Sequence, residues 1–455
     1  MANSARQTAF DILLKIEKDK AYSNLAIDSA VRATEADSTD CAFISRLVYG
    51  VTERKLTLDF VFSRYLKQSL SKLRAEVLTA LRLGTYQILY MDKVPDSAAV
   101  NESVALVRNN GWAYAAGLAN AVLRKVAEGG MPDFSALPVK ERISVVYSVP
   151  QELVDLVSYH YGEENAEAFF KAALEPKKIT IRVNTLKTTT EKIKKIFDGE
   201  KVRYEDCNVE AALVIYPQCA VSDLDSYNNG FFHVEDISSQ LCVKALAPKS
   251  GETVIDVCSA PGGKSFTAAQ YMGDKGSLIS CDLHGHRAAL VGEGARRLGI
   301  NSLKTAVNDA TVFNPEFPEA DAVLCDVPCS GLGIIGKKPE IKYKKLDDIK
   351  ELIPIQKEIL ETSSRYVKSG GRLVYSTCSV NPNENRKVCD RFLKEHPEFH
   401  SVTVLPEIER VKREGDYLTL MPHINNCDGF FISLFVKDRV VEKYGEKGYT
   451  VAQYK

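Results

Sequence analysis

The stretch Thr253-Val-Ile-Asp-Val-Cys-Ser-Ala-Pro-Gly-Gly-Lys264 decides the fold of the second half of the chain. It begins as a β-rich run, passes through two adjacent glycines and leads into residues 265–272, which have helical character. Glycines allow close approach of a ligand to the backbone, and a helix N-terminus offers free N–H groups with partial positive charge. Strand, glycine turn and helix together predict a nucleotide-binding geometry. A simple tight turn is the alternative, because the loop matches neither G-x-G-x-x-G nor G-x-x-x-x-G-K-[ST].

Further β-rich runs alternate with helical stretches from residue 251 onward. The runs are Thr253–Val257, Leu278–Cys281, Leu303–Val307, Ala322–Cys325, Arg372–Tyr375 and Phe430–Val436. This alternation predicts a Rossmann-like α/β domain with a doubly wound, mostly parallel sheet. Such sheets bind ligands beyond the carboxyl ends of their strands, so the residues that follow each run are candidates for a site.

The 455 residues exceed what one hydrophobic core normally serves, so we expect several domains. Residues 1–130 carry apolar positions at helical spacing and predict an all-α bundle. Residues 131–240 combine helical stretches with the alternating run Lys178–Thr185 and predict a small α+β module. Residues 241–440 form the predicted α/β domain, and residues 441–455 a C-terminal tail.

The composition is that of a globular protein, with 45% hydrophobic residues, 26% charged residues and a net charge of -1. No apolar run reaches the roughly 18 to 20 residues that cross a bilayer, and the polar first residues lack a signal-peptide core. We therefore expect a cytoplasmic monomer without a membrane partner. Any nucleic-acid contact must come from local basic patches. One patch is residues 336–345, and a diffuse one, which could equally be a solvated face, comprises Arg54, Lys55, Arg64, Lys67, Lys72, Arg74 and Arg82.

The chain has eleven cysteines, an odd number, and none of them forms a C-x-x-C pair. A disulfide framework or a metal site is therefore not expected. Most free cysteines are small buried hydrophobic residues. We predict this for Cys41, Cys207, Cys219, Cys242, Cys281, Cys325, Cys389 and Cys427.

Two aspartates follow the second and third runs and support a nucleotide site. Asp282 is placed to accept hydrogen bonds from both hydroxyls of a ribose. Asp309 could accept a hydrogen bond from the amino group of an adenine. A carboxylate such as that of the methionine moiety of S-adenosylmethionine would suit the helix end after the glycine loop. Each aspartate alone is as well explained as a helix N-cap.

Two cysteines follow the fourth and fifth runs, in Asp326-Val-Pro-Cys329-Ser-Gly331 and in Ser376-Thr-Cys378-Ser379. Adjacent parallel strands would bring them together where the cofactor's methyl group points. A thiol beside a methyl donor is suited to the methylation of cytosine at C5. C5 is a poor nucleophile, and addition of a thiolate to C6 activates it. Asp326 is suited to stabilise the protonated N3 and N4 edge of the base. Lys264 is the candidate cation that lowers the pKa of a reactive thiol.

With these residues named, the chain resembles the NOL1/NOP2/Sun family of RNA cytosine-C5 methyltransferases, and within it the bacterial Sun branch that acts on small-subunit rRNA. The motifs are Asp256–Lys264, Asp326–Gly331, Tyr375–Ser379 and Asp428–Phe431. Residues 81–88 and 119–124 resemble the NusB-like, RNA-binding helical domain of that branch. Residues 181–185 and 236–240 resemble the module that precedes its class I methyltransferase domain.

The resemblance implies that Cys378 is the nucleophile and that Cys329 helps to release the methylated product. It further implies that S-adenosylmethionine is bound by Cys258, Ser259, Ala260, Pro261, Gly262, Gly263, Lys264, Asp282, Asp309 and Asp326. The substrate would be one cytosine of 16S rRNA, free or early in assembly. The chain departs from the family at Glu235, where glutamine is common, and at Lys337-Lys338, where an arginine pair is common.

Other functions remain open on the sequence alone. A NusB-like bundle is by itself a binding module, so the chain could be a non-catalytic RNA-binding or ribosome assembly factor. The same chemistry could also serve another RNA, or DNA. The intact pair of thiols argues against the non-catalytic alternative.

Overall fold

The computed structural model describes residues 4–19, 23–34, 37–409, 411–444 and 450–454. The chain divides into two compact units. We call Met1–Glu175 with Ile335–Lys344 the helical unit, and Pro176–Ile334 with Lys345–Lys455 the α/β unit. Among the described residues, no helix is long and apolar enough to cross a membrane.

The helical unit confirms the predicted all-α bundle. Its helices are α1 (Ala5–Asp19), α2 (Ser23–Thr34), α3 (Ser38–Ser63), α4 (Ala75–Tyr90), α5 (Asp96–Asn109), α6 (Ala116–Gly129), α7 (Val139–Tyr147), α8 (Gln151–Tyr161) and α9 (Glu163–Ala173). On α6, the buried residues Ala119, Val122, Leu123 and Val126 form one apolar stripe. α4 is buried on most sides and lies inside the bundle.

One buried ion pair lies in this bundle. Arg82 on α4 donates from Nε and Nη2 to the two carboxylate oxygens of Asp59, at 2.7 Å each. Arg82 is only 6% exposed. The prediction that Arg82 belongs to a basic surface patch was therefore wrong, because its charge is already neutralised in the core.

The inserted segment, as we call Ile335–Lys344, packs within the helical unit. Lys342 Nζ donates to Glu53 O at 2.7 Å, and Tyr343 OH donates to Thr52 O at 2.9 Å. Lys342 is only 3% exposed. The predicted basic patch at 336–345 is therefore wrong for Lys342, since its ammonium is used inside the unit.

The α/β unit begins with the predicted α+β module. Its elements are β1 (Ile179–Val183), α10 (Thr190–Glu200), β2 (Arg203–Asp206), β3 (Ala212–Tyr216), α11 (Asp225–Asn228) and β4 (Phe232–Val234). The four strands pair antiparallel in the order β2-β3-β1-β4. Asn184 fixes the module within the unit, since its Nδ2 donates to Gly230 O and Leu298 O at 2.8 Å each.

The rest of the unit is one large sheet with helices on its faces. Its elements are α12 (Ile237–Leu246), β5 (Thr253–Asp256), α13 (Gly263–Tyr271), β6 (Ser277–Asp282), α14 (Gly285–Leu298), β7 (Leu303–Val307), β8 (Ala320–Asp326), α15 (Leu346–Lys350), α16 (Leu352–Arg365), β9 (Val367–Thr377), α17 (Arg386–Glu395), β10 (Phe399–Val402), β11 (Lys412–Glu414), β12 (Tyr417–Leu420), α18 (Pro422–Asn425), β13 (Phe430–Lys437), β14 (Val440–Tyr444) and β15 (Thr450–Tyr454). All six predicted runs are strands.

The strand order is β11-β12-β13-β9-β8-β5-β6-β7, with β10 on β13. Only β7, β6, β5, β8 and β9 run parallel to one another, whereas β10 to β13 add four antiparallel pairings. The prediction of a mostly parallel sheet was wrong for β10 to β13, whose pairings are all antiparallel. One of these pairings, between β11 and β12, is a hairpin made by a turn at Gly415 with φ +66°. β14 and β15 pair with each other in a separate two-stranded sheet, which begins at Val440, one residue before the predicted tail.

Candidate active site

The glycine loop connects β5 to α13 as the sequence predicts. Ser259 folds onto the next strand, with its backbone N–H and its hydroxyl donating to Cys281 O at 2.7 and 2.9 Å. Gly262 has φ +115°, and a Cβ there would lie 2.3 Å from the ring of Phe266, so only glycine fits. α13 begins at Gly263, and the first N–H groups of a helix can receive an anionic group.

Lys264, Asp326 and Ser376 form a hydrogen-bonded chain across three elements. Lys264 Nζ lies 2.7 Å from Asp326 Oδ2, and Ser376 Oγ donates to Asp326 Oδ1 at 2.6 Å. Burial opposes the charge of Lys264, but Asp326 outweighs it and raises the lysine pKa. Lys264 also lowers the pKa of Cys242, which burial nevertheless raises to about 12. The predicted effect of Lys264 on a reactive thiol stays a prediction.

The two cysteine loops follow the ends of adjacent parallel strands. Asp326 pairs with Ser376 in the register of β8 and β9, so Cys329 and Cys378 come side by side. Their sulfur atoms lie 3.1 Å apart, and both residues are half-buried. The hydrogen bond with Cys378, together with burial, raises the pKa of Cys329 well above its usual range. The predicted juxtaposition of two thiols and an aspartate is therefore present.

Asp282 lies beside the glycine loop. Its Oδ1 accepts from His284 N at 3.1 Å, and its Oδ2 lies 3.3 Å from Arg287 Nη1. Arg287 donates in turn to Ala260 O at 3.1 Å. The guanidinium thus connects the carboxylate at the end of β6 to the loop that precedes α13.

Asp309 is placed differently from the prediction. β7 ends at Val307, so Asp309 lies two residues beyond the strand, where it is exposed. Its Oδ1 accepts from the backbone N–H and the hydroxyl of Thr311, at 2.9 and 2.7 Å. These bonds form a local turn, and no helix lies between β7 and β8 in this described stretch, so the helix N-cap alternative is wrong for Asp309. A contact between Asp309 and an adenine stays a prediction.

Buried groups surround the start of the glycine loop. Asp256 Oδ2 accepts from Ser265 Oγ at 2.7 Å, while Oδ1 has no hydrogen-bond partner in the described structure. Burial raises the pKa of Asp256 to about 7 and that of the Cys258 thiol well above its usual range. Pro261, by contrast, is exposed.

Sequence reasoning missed Glu384, whose side chain lies between the two cysteine loops and is fully buried. Oε1 accepts from Ser330 N at 2.7 Å, and Oε2 accepts from Ser330 Oγ at 2.6 Å and from Ser379 Oγ at 2.8 Å. Ser330 and Ser379 directly follow the two cysteines. Only folding reveals this role, because Glu384 stands in the polar turn Asn381–Asn385 without a recognisable spacing.

The remaining cysteines only partly follow the prediction. Those at 242, 281, 325 and 389 are buried, as predicted, whereas those at 41, 207 and 427 are half-buried. The prediction was wrong for Cys219, which is exposed in a loop. No group of three or more potential metal ligands occurs among the residues that the structure describes.

Three family models match consecutive parts of the chain. A model of the NusB family matches residues 3–128, and a model described as a ferredoxin-like domain of RsmF/B-like methyltransferases matches residues 149–222. A model described as 16S rRNA methyltransferase RsmB/F matches residues 243–436. Bundle, module and α/β domain therefore occur in the predicted order, while their boundaries at 130, 240 and 440 stay predictions.

Similar proteins cover almost the whole chain. The probable ribosomal RNA small subunit methyltransferase B of Bacillus subtilis (strain 168) is 37% identical over 438 residues, which are 94% of this chain and 98% of that protein. The ribosomal RNA small subunit methyltransferase B of Pectobacterium atrosepticum is 28% identical over 90% of this chain and 93% of its own. The crystal structure of PH0851 has a TM-score of 0.80 at 27% identity, covering 96% of this chain and 100% of that one. The chain therefore belongs to the family of ribosomal RNA small subunit methyltransferase B, of the RsmB/F type.

Proposed function

We propose that this protein transfers a methyl group from S-adenosylmethionine to C5 of a cytosine in 16S rRNA, with Cys378 as the covalent nucleophile. The observation that carries the proposal is the pair of sulfur atoms 3.1 Å apart, beside the Lys264–Asp326 ion pair. A carbon acceptor such as C5 requires activation by a nucleophile, and a thiol supplies it. The names of the similar proteins support small-subunit rRNA as the substrate.

The residues of the glycine loop fit S-adenosylmethionine. The start of α13 suits a carboxylate, and the nearly buried Asp282 at the end of β6 suits ribose hydroxyls. In this proposal residues 258–264 hold the methionine moiety and Asp309 lies near the adenine. The bound cofactor supplies an electrophilic methyl group.

The proposed reaction divides one difficult step into easier ones. The Cys378 thiolate adds to C6, so that the S–C6 bond forms and electron density moves to C5. Asp326 faces the N3 and N4 edge and stabilises the charge that develops there. After C5 has taken the methyl group, a base removes the C5 proton and the S–C6 bond breaks, which restores the aromatic ring.

The environment of Cys329 supports different roles for the two thiols. A raised pKa keeps the proton on Cys329, so this residue enters as a thiol beside the Cys378 sulfur. A protonated Cys329 can return a proton as the S–C6 bond breaks. This is the proposed basis of its role in product release.

Tritium transfer from labelled S-adenosylmethionine to 16S rRNA tests the proposal. We expect Cys378→Ala to abolish transfer, and Cys329→Ala to accumulate a covalent protein–RNA adduct that survives denaturing gels. The exposed Cys219→Ala serves as the matched control and should keep full activity. Full transfer by Cys378→Ala would refute the covalent mechanism, and a Cys329→Ala protein free of adduct would remove its release role.

The substrate is tested separately from the chemistry. Unmodified 16S rRNA should be methylated at one cytosine, located by bisulfite sequencing, and excess DNA oligonucleotides should not compete. A single-stranded target is expected because the base must be turned out to meet a thiol. Calorimetry that detects no S-adenosylmethionine binding would favour a non-catalytic assembly factor instead.

A further inference from the structure

We propose that Glu384 is a positioning residue that holds the Cys329 and Cys378 loops in the arrangement in which their sulfur atoms meet. Its carboxylate is fully buried and accepts hydrogen bonds from the residue that follows each cysteine. The inference rests on the proposed function, since it assumes that both thiols take part in the reaction.

The Cys329 loop is held on both sides of the cysteine. Ser330 N and Ser330 Oγ donate to the two oxygens of Glu384, at 2.7 and 2.6 Å. On the other side, Gln356 Nε2 donates to Pro328 O at 3.0 Å and to Glu384 Oε1 at 3.1 Å. Rotation of the loop about Cys329 would therefore break bonds on both flanks.

The Cys378 loop is held by the same carboxylate. Ser379 Oγ and Asn381 Nδ2 donate to Glu384 Oε2, at 2.8 and 3.1 Å. Ser379 Oγ also lies 2.9 Å from Ser330 Oγ, so the residues after the two cysteines touch each other as well. The two loops thus share one acceptor, and neither can shift independently of the other.

The chemistry of the donors explains why a carboxylate occupies this position. Ser330 N, Gln356 Nε2 and Asn381 Nδ2 are fixed N–H donors, and they reach both oxygens of Glu384. An amide at position 384 offers one oxygen and places an N–H group against one of these donors. A buried carboxylate without such bonds costs free energy. The hydrogen bonds therefore hold the Glu384 side chain in this one position.

The test is a steady-state comparison of Glu384→Gln with wild type on 16S rRNA. Because a displacement of about 1 Å can cost about 100-fold in rate, we expect kcat to fall by about 100-fold. KM for RNA and for S-adenosylmethionine should change by less than about threefold, since Glu384 contacts neither in the proposed site. A merely structural residue would lower the melting temperature and leave kcat of the folded enzyme intact.

The matched control is Glu200→Gln in the α+β module. Glu200 accepts from Ser226 N and Ser226 Oγ, at 2.7 and 2.6 Å, as Glu384 does from Ser330. It therefore tests the loss of the same pair of bonds away from the thiols. Ser330→Ala, which removes one donor and keeps the carboxylate, provides a milder variant should Glu384→Gln fail to fold, and we expect an intermediate loss of kcat.

A second readout does not depend on methyl transfer. Diamide accepts two electrons and two protons from a pair of thiols, so it should convert Cys329 and Cys378 into a disulfide that peptide mass spectrometry can locate. We expect this reaction to slow by about tenfold in Glu384→Gln and to stay unchanged in Glu200→Gln. Unchanged kcat and an unchanged disulfide rate in Glu384→Gln or Ser330→Ala would overturn the positioning role. Full activity of Cys378→Ala would instead overturn the proposed function. The rate of disulfide formation in Glu384→Gln would then still decide whether Glu384 positions the two cysteine loops.

Discussion

In the helical unit the buried carboxylate of Asp59 faces the guanidinium of Arg82, whereas in the α/β unit the buried carboxylate of Glu384 is bound by hydroxyl and amide donors. Asp256 in the same unit keeps one oxygen without a described partner. An ion pair neutralises charge and serves packing. The Glu384 and Asp256 carboxylates are held by neutral donors instead, and both lie beside the candidate active site. From this comparison we infer that a buried carboxylate held by neutral donors marks the functional region of this chain.

The largest expected effect on stability comes from breaking the ion pair between Arg82 and Asp59. Arg82→Leu leaves Asp59 buried without its partner, and we expect a loss of about 3 to 5 kcal/mol in the free energy of unfolding. The single tryptophan, Trp112, lies in the helical unit, so urea unfolding followed by its fluorescence reports this loss. The double variant Arg82→Leu with Asp59→Leu is the control and should recover most of the stability. If the double variant is as unstable as the single one, loss of packing rather than unpaired charge is responsible.

The next effect concerns Asp256, whose pKa burial raises to about 7 from an ordinary value of 3.8. A raised pKa means that the folded state holds the proton more tightly than the unfolded state, so stability falls as pH rises from about 4 to about 7. Asp256→Asn removes this slope. Calorimetric melting should therefore show equal stability near pH 4, and an advantage of the variant of up to about 4 kcal/mol at pH 8. A difference between variant and wild type that is independent of pH contradicts the assignment.

A smaller effect is expected at Gly333, which connects the two cysteine loops to β13. Gly333 N donates to Cys378 O, and Gly429 N donates to Gly333 O, at 2.9 Å each. A Cβ at Gly333 would lie 1.7 Å from Gly429 O, so Gly333→Ala must displace backbone. We expect a loss of about 1 to 3 kcal/mol in calorimetric melting, together with reduced methyl transfer. Gly199→Ala, where a Cβ meets nothing within 4 Å, should be neutral or slightly stabilising.

The smallest expected effect comes from removing a neutral hydrogen bond in the helical unit. Tyr343→Phe removes the hydroxyl that donates to Thr52 O, and we expect a loss of about 1 kcal/mol by Trp112 fluorescence. Methyl transfer at saturating substrate should be unchanged. A large fall in activity with unchanged stability would mean that this neutral contact matters for the reaction, contrary to the comparison.

The fold was predictable wherever one periodicity governs a long segment. The helical spacing of apolar residues within 1–130 and the apolar runs of β5 and β8 carry their own signals, and all three were identified correctly. β11 was missed because its three residues, Lys412–Glu414, are all charged, and β12 was missed because it is a short strand that pairs with β11 through a turn. Their direction depends on which strand they meet, which no local pattern states.

The candidate site was predictable in part for the same reason. Cys378 directly follows β9 and Cys329 lies three residues beyond β8, so the pairing of these two parallel strands brings their loops together. Lys342 and Arg82 were misjudged because a charge in a sequence gives no sign of its burial. Glu384 was missed because its role arises from five hydrogen bonds made by residues distributed from 330 to 381.

The inserted segment has a consequence for the order in which the protein is made. Ribosomes deliver the chain from its N-terminus, and domains commonly fold as they emerge. The helical unit, however, completes its interior only with Ile341 and Tyr343, which are synthesised after β5 to β8, the first four strands of the large sheet. We therefore expect a nascent chain that ends at 175 to be more sensitive to protease in its bundle than the finished protein. Equal protection of the two bundles would show that the late residues are dispensable for maturation.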